Sequence, residues 1–165
     1  MSFYRYFWLI MLIFALTSSC GFKPLYKELN DNDKINGKIN VASIGGKSGY
    51  YLREEIARRF GEPQKDAYNL EIKISISKSS KIITPANEIT SYNLVMNAEY
   101  SLKGEDGTII IPKQNLSSKT GYSAATNMTG YATQIAEEAA KKRLSIDIGN
   151  KIITRLLISS KDWKI

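Results

Sequence analysis

The chain has 165 residues, 43% of them hydrophobic, with one Cys, no His, and a formal net charge of +7 from 23 Lys plus Arg against 16 Asp plus Glu. Without His or a second Cys it has no internal disulfide, no Ser-His or Cys-His nucleophile pair and no nitrogen- or sulfur-ligated zinc cluster. The basic balance favours acidic partners: nucleic acid, anionic lipid or an acidic protein surface.

The first nineteen residues read as an export signal, with Arg5, an apolar run Phe7–Leu16 and the small residues Thr17, Ser18 and Ser19 in the expected order. That run is too short to span a bilayer, which takes roughly 20 apolar residues. Cleavage before Cys20 would leave the only thiol at the mature N-terminus, an arrangement that resembles the lipobox of bacterial lipoproteins. The resemblance implies a diacylglyceryl group on the Cys20 thiol and acylation of the new amine. Three acyl chains exceed the two signals that stable anchoring needs. An ordinary cleaved signal with Cys20 as a chance small residue, or an uncleaved anchor, is the alternative. Removing residues 1–19 from 165 leaves 146, enough for one domain. Export argues against nucleic acid and leaves lipid head groups, phosphorylated glycolipids among them; the excess Lys can equally serve solubility.

Residues 20–38 are expected as the lipidated start and a tether, its KELNDNDKINGK stretch polar with Asn, Asp and Gly, and residues 39–165 are expected to form a single α+β domain. Ile39 to Ile44 alternates as a short strand that Gly45 and Gly46 end. Ser48 is the expected cap of a helix from about Gly49, with Leu52, Ile56 and Phe60 on one face and Gly61 and Pro63 as its stop. From Tyr68 the period becomes two: Leu70, Ile72, Ile74 and Ile76 alternate with polar residues. Ser77–Lys81 leads on to Ile82 and Ile83, and Pro85 and Asn87 signal a loop. A second long strand follows, with Tyr92, Leu94, Met96, Ala98, Tyr100 and Leu102 on one face, closed by the hairpin signal Glu105-Asp106-Gly107. The return is expected as Thr108–Ile111 and then, after Pro112, a separate extended piece Leu116–Ala124. From about Met128 to Ser159 an apolar stripe from Ile135 to Leu157 gives a long helix, with Gly149-Asn150 as a place to bend and Lys141, Lys142 and Arg143 as a solvated outer run. The expected fold is a two-layer α+β sandwich: two helices on one face of a mostly antiparallel sheet of about four strands.

Nothing in the spacing suggests catalysis; Glu54-Glu55 and Glu137-Glu138 read as exposed helix residues, and no phosphate loop or dinucleotide fingerprint occurs. CGFKPLY, from Cys20 to Tyr26, resembles the mature start of the lipopolysaccharide-assembly lipoproteins. The resemblance continues through NEITSYNLVMNAEYSLKGEDG and GYSAATNMTGYATQIAEEAAKKRLSIDIGNKIITRLL. It implies a non-enzymatic protein held by lipid on the periplasmic side of the outer membrane. Such a protein sits in a large β-barrel translocon, plugs it, assists its assembly and contacts lipopolysaccharide. No metal and no cofactor beyond the covalent lipid at Cys20 is implied. Phe22, Pro24, Leu25 and Tyr26 are the expected barrel or membrane contacts, since aromatics favour such interfaces. Lys78, Lys81, Lys113 and Lys119, placed in or beside loops, are the candidate contacts for lipopolysaccharide phosphates. A lipoprotein subunit of another envelope machine, such as a secretion pilot or a lipid-transporter component, shares the anchor and the fold. A periplasmic Ser-Lys hydrolase is the remaining alternative.

Overall fold

Alternation and helical periodicity become six elements in the computed structural model, which describes residues 35–83, 89–123 and 130–163. In chain order these are β1 (Ile39–Val41), α1 (Gly46–Phe60), β2 (Tyr68–Ile83), β3 (Ile89–Lys103), β4 (Ile109–Ser123) and α2 (Gly130–Ser159), followed by a short 3-10 turn at Ser160–Asp162. The sheet runs β1-β2-β3-β4, with β1 parallel to β2 and the other pairs antiparallel. It is the expected α+β arrangement of two helices and a four-stranded sheet.

Because successive strand side chains point to opposite faces, Leu70 and Ile72 of β2 align with Leu102 and Tyr100 of β3 on one side. Leu94, Met96 and Ala98 continue that inward row, all within 2% of full burial. The helices fill this side: α1 contributes Leu52, Ile56 and Phe60, and α2 contributes Leu144, Ile148, Ile152 and Leu156, into one core. The Ser118 hydroxyl donates to Asp147, and Lys151 Nζ donates to the Ser117 carbonyl at 3.2 Å, tying α2 to β4. The opposite sheet face carries Asn97 with Ser75 and Ser117 on either side and is open to solvent.

Several boundaries differ from expectation. β1 stops at Val41 rather than Ile44. α1 starts at Gly46 with Gly45 as its N-cap, so Ser48 falls inside the first turn and makes no cap. β2 runs unbroken through Ser77–Lys81, because Val95, Leu94, Asn93 and Tyr92 pair with Ser77, Lys78, Ser79 and Ser80. The loop signalled by Pro85 and Asn87 lies outside the described residues, as does Ala124. β4 is likewise one strand through Pro112. Its register slips between the pairs Tyr100↔Gln114 and Leu102↔Ile111, leaving an extra residue at Pro112-Lys113. A bulge on an edge strand is where a residue without an N–H is tolerated.

At the β3–β4 turn, Gly107 alone takes a left-handed φ, of 83°. Asp106 contributes instead through its carboxylate, which accepts from Thr108 N at 2.9 Å and Thr108 Oγ1 at 2.7 Å. α2 is continuous across Gly149-Asn150. Gly149 is buried against α1: a Cβ there would come within 3.1 Å of Glu55 Cγ and 3.4 Å of Leu52 Cδ1. The glycine sets how closely the two helices approach, with no break in the axis. Trp163 folds back on Tyr68, edge to face with ring centroids 5.4 Å apart.

Candidate functional site

Past Ile72 the inward row of β2 continues as Ile74, Ile76 and Lys78, and the packing of both helices opens there into a cleft of about 500 Å³. Ile74, Ile76 and Leu94 form an apolar floor. Gly45 to Ser48, the start of α1, lie at one wall with Tyr51, and Glu137, Glu138 and Lys141 of α2 form the other. The first turn of α1 has no side-chain cap, and its residues Gly46, Lys47 and Ser48 line the cleft. A greasy floor with a lysine rim is amphiphile chemistry: chain methylenes below, anionic groups at the edge.

Lys78 is the focus of the rim. Its ammonium lies 4.2 Å from the Tyr92 ring centroid and 5.5 Å from that of Tyr122, two rings stacked 5.3 Å apart. It donates to Glu137 Oε2 at 2.6 Å, and Tyr122 OH donates to the same oxygen at 2.7 Å. Lys141, one helical turn on, reaches Glu137 Oε1 at 2.6 Å. Hydrogen bonds from Lys141, then Lys78 and Tyr122, hold the Glu137 carboxyl down to about 2. The Glu137 and Tyr122 hydrogen bonds push the Lys78 ammonium well above its ordinary value despite desolvation. Burial, in turn, raises the Tyr122 phenol. Alongside, Lys47 of α1 pairs with Glu138 of α2 and is raised by that hydrogen bond. Lys142 covers the Tyr51 ring at 5.1 Å.

The four lysines expected near loops are all in strands, a consequence of the continuous β2 and β4. Only Lys78 lies in the cleft. Lys119 pairs with Val95 on the opposite sheet face, and Lys113 reaches Glu99 at 3.1 Å, also on that side. Lys81 is exposed near the end of β2, where the register shifts. The structure therefore does not gather the four into one patch. Cys20, Phe22, Pro24, Leu25 and Tyr26 lie outside the described residues.

Two readings need correction. Glu137 and Glu138 are ion-pair partners rather than free surface carboxylates, because they share the α2 turn that faces the cleft. Lys141, Lys142 and Arg143 do not form a purely solvated run: Lys141 pairs with Glu137, Lys142 lies over Tyr51, and Arg143 donates to the Gly121 carbonyl at 3.4 Å. The signals were present. Lys78 has the even parity of Leu70 to Ile76, and Glu137 precedes Ala140, Leu144 and Ile148 on one helix face.

Among the described residues no group of three or more His, Cys, Asp or Glu could hold a metal ion. Among the same residues no helix is long and apolar enough to cross a membrane.

Residues 26–156 match the family model described as LptE, lipopolysaccharide-assembly. No curated protein matches the sequence. The fold is similar to that of a protein of Caulobacter crescentus, with TM-score 0.61 and 17% identity over 78% of this chain and 95% of the other. It is also similar to rare lipoprotein B of Shewanella oneidensis, with TM-score 0.58 and 14% identity over 75% and 96%. A minor lipoprotein of Acinetobacter baumannii has TM-score 0.54 and 15% identity over 78% and 95%.

Proposed function

The chain belongs to the LptE lipopolysaccharide-assembly family, and from that premise we propose that it is an outer-membrane lipoprotein that plugs and helps to assemble a β-barrel lipopolysaccharide translocon. On this reading Cys20 carries the lipid, residues 27–34 give the domain its reach, the expected tether being shortened because Ile35 is buried in the core and Gly37 and Lys38 hydrogen-bond to the domain, and Phe22, Pro24, Leu25 and Tyr26 contact the barrel wall or the bilayer. The protein performs no catalysis; it binds and positions. It contacts lipopolysaccharide in transit.

The observation that supports this reading is the cleft, whose floor of Ile74, Ile76 and Leu94 lies beneath Lys47, Lys78 and Lys141. Lipopolysaccharide carries acyl chains and phosphates together, and a phosphate takes charge-assisted hydrogen bonds from ammonium groups. Among the four lysines expected from sequence, Lys78 is therefore the strongest contact; Lys81, Lys113 and Lys119 are available to other parts of the same ligand or to the barrel.

Affinity capture of the lipidated chain from detergent-solubilised outer membranes, with bound chains identified by mass, tests the reading. A large β-barrel recovered at near one-to-one amount is the expected outcome. Recovery of a secretion ring, of a transporter complex or of no partner would sink it.

A further inference from the structure

All three lysines that line the cleft already have a carboxylate partner, and both carboxylates line the same cleft. Lys47 pairs with Glu138, while Lys78 and Lys141 share the two oxygens of Glu137. We propose that Glu137 and Glu138 form an internal counter-ion latch, holding the cleft lysines in the empty protein and yielding them when a phosphate-bearing amphiphile enters. This rests on the reading of the cleft as an amphiphile site.

The lining charge makes exchange the natural route. Three lysines and two glutamates leave the closed cleft at a net of +1. A phosphate near −2 entering beside both carboxylates would make the site negative, with like charges a few ångströms apart. Once the carboxylates turn outward, the same lysines face the phosphate uncompensated.

The two acids are suited to leave in order. The Glu138 side chain is 40% exposed and has a single lysine partner, so it can rotate into water. Glu137 is 22% exposed and holds Lys78, Lys141 and the Tyr122 hydroxyl, so it releases last. In their turn of α2, Ala136 packs partly buried against the core and these polar contacts supply the rest of the hold. The fully buried residues of that helix begin only at Ala140, and Tyr131 and Ile135 before it are exposed. Beside Ala136, polar contacts that an anion can replace thus hold the part of α2 that walls the cleft.

The latch makes a prediction opposite to that for ordinary binding residues: removing a charge from the site should tighten binding. Full lipidated chain in detergent would be titrated with purified lipopolysaccharide and with lipopolysaccharide stripped of its phosphates. Glu138→Gln, in an exposed pair that the fold can lose, is the primary variant, and Glu137→Gln the second. Each is expected to bind the phosphorylated form about three- to fivefold more tightly, the scale of a partly exposed ion pair, and the stripped form unchanged. Glu62→Gln, an exposed acid elsewhere, makes the same change in net charge and is expected to have no effect. Binding by the wild type with Glu138→Gln unchanged or weaker overturns the latch alone, as does equal tightening by Glu62→Gln. Absence of binding by wild type and variants alike overturns the latch together with the reading beneath it.

Discussion

Lys78 on β2 and Glu137 on α2, 59 residues apart in the chain, meet at 2.6 Å between Nζ and Oε2. The lysine stands on the rings of Tyr92 and Tyr122, and the second ring's hydroxyl donates to the same carboxylate. The cluster thus joins four elements, β2, β3, β4 and α2, at the cleft rim.

The pair should register as a pH-dependent stability. The Lys141, Lys78 and Tyr122 hydrogen bonds hold the Glu137 carboxyl down to about 2, below its ordinary 4.5, so its contribution is complete above about pH 5 and is lost as pH falls through 2. Lys78 is shifted upward, so its contribution persists throughout that acid window and fades only at strongly alkaline pH. Glu137→Gln is expected to be about 1–3 kcal/mol less stable than wild type at pH 7 in urea titrations. The deficit should shrink towards pH 2, and one independent of pH would contradict the assignment.

At the helix crossing, Gly149→Val should cost about 2 kcal/mol or more in thermal or urea unfolding, because the branched side chain meets Glu55 and Leu52 where a Cβ alone is already tight. Gly149→Ala is expected within about 1 kcal/mol of wild type, since the gain in helix propensity offsets a contact that the flexible Glu55 side chain can relieve.

Ser145 is fully buried, and its hydroxyl donates back to the Lys141 carbonyl of its own helix at 3.0 Å. Ser145→Ala removes donor and demand together and should leave the unfolding midpoint almost unchanged, whereas Ser145→Leu overpacks the core by about 1–3 kcal/mol. A large loss in the alanine variant would mean that the hydroxyl serves another group.

Lipopolysaccharide binding should separate the two faces of the sheet. Lys78→Ala is expected to weaken binding about tenfold, and Lys113→Ala or Lys119→Ala less than twofold, in parallel titrations of lipidated protein. The reverse ranking would move the site to the open face.

The lipid is the most direct test. Intact-mass measurement of the mature chain should show acylation at Cys20, and Cys20→Ala should release the protein from the membrane fraction. An unmodified Cys20 in the membrane-bound chain would overturn the anchor.

The strands and helices were legible because their causes are local. Leu70 to Ile76 and Tyr92 to Leu102 alternate at the period the pleat imposes, and Leu52, Ile56 and Phe60 recur at the period of a helix. The hairpin at Asp106-Gly107 announced itself for the same reason. Where local signals conflicted with pairing, pairing won. Ser77–Lys81 and Pro112 read as interruptions, yet the ladder to β3 carried both strands through, with a bulge absorbing the proline. Gly149 read as a bend, and the neighbouring helix showed it to be a packing contact.

The family motif and the single thiol at Cys20 are properties of the sequence by itself, as are the periods that build the two layers. The cleft is not. Lys47 and Glu138 stand 91 residues apart, and no local rule relates them. Only the packing of both helices over the sheet converts scattered surface charges into a paired rim above an apolar floor, because ion pairing and desolvation depend on distances that the completed tertiary fold alone sets.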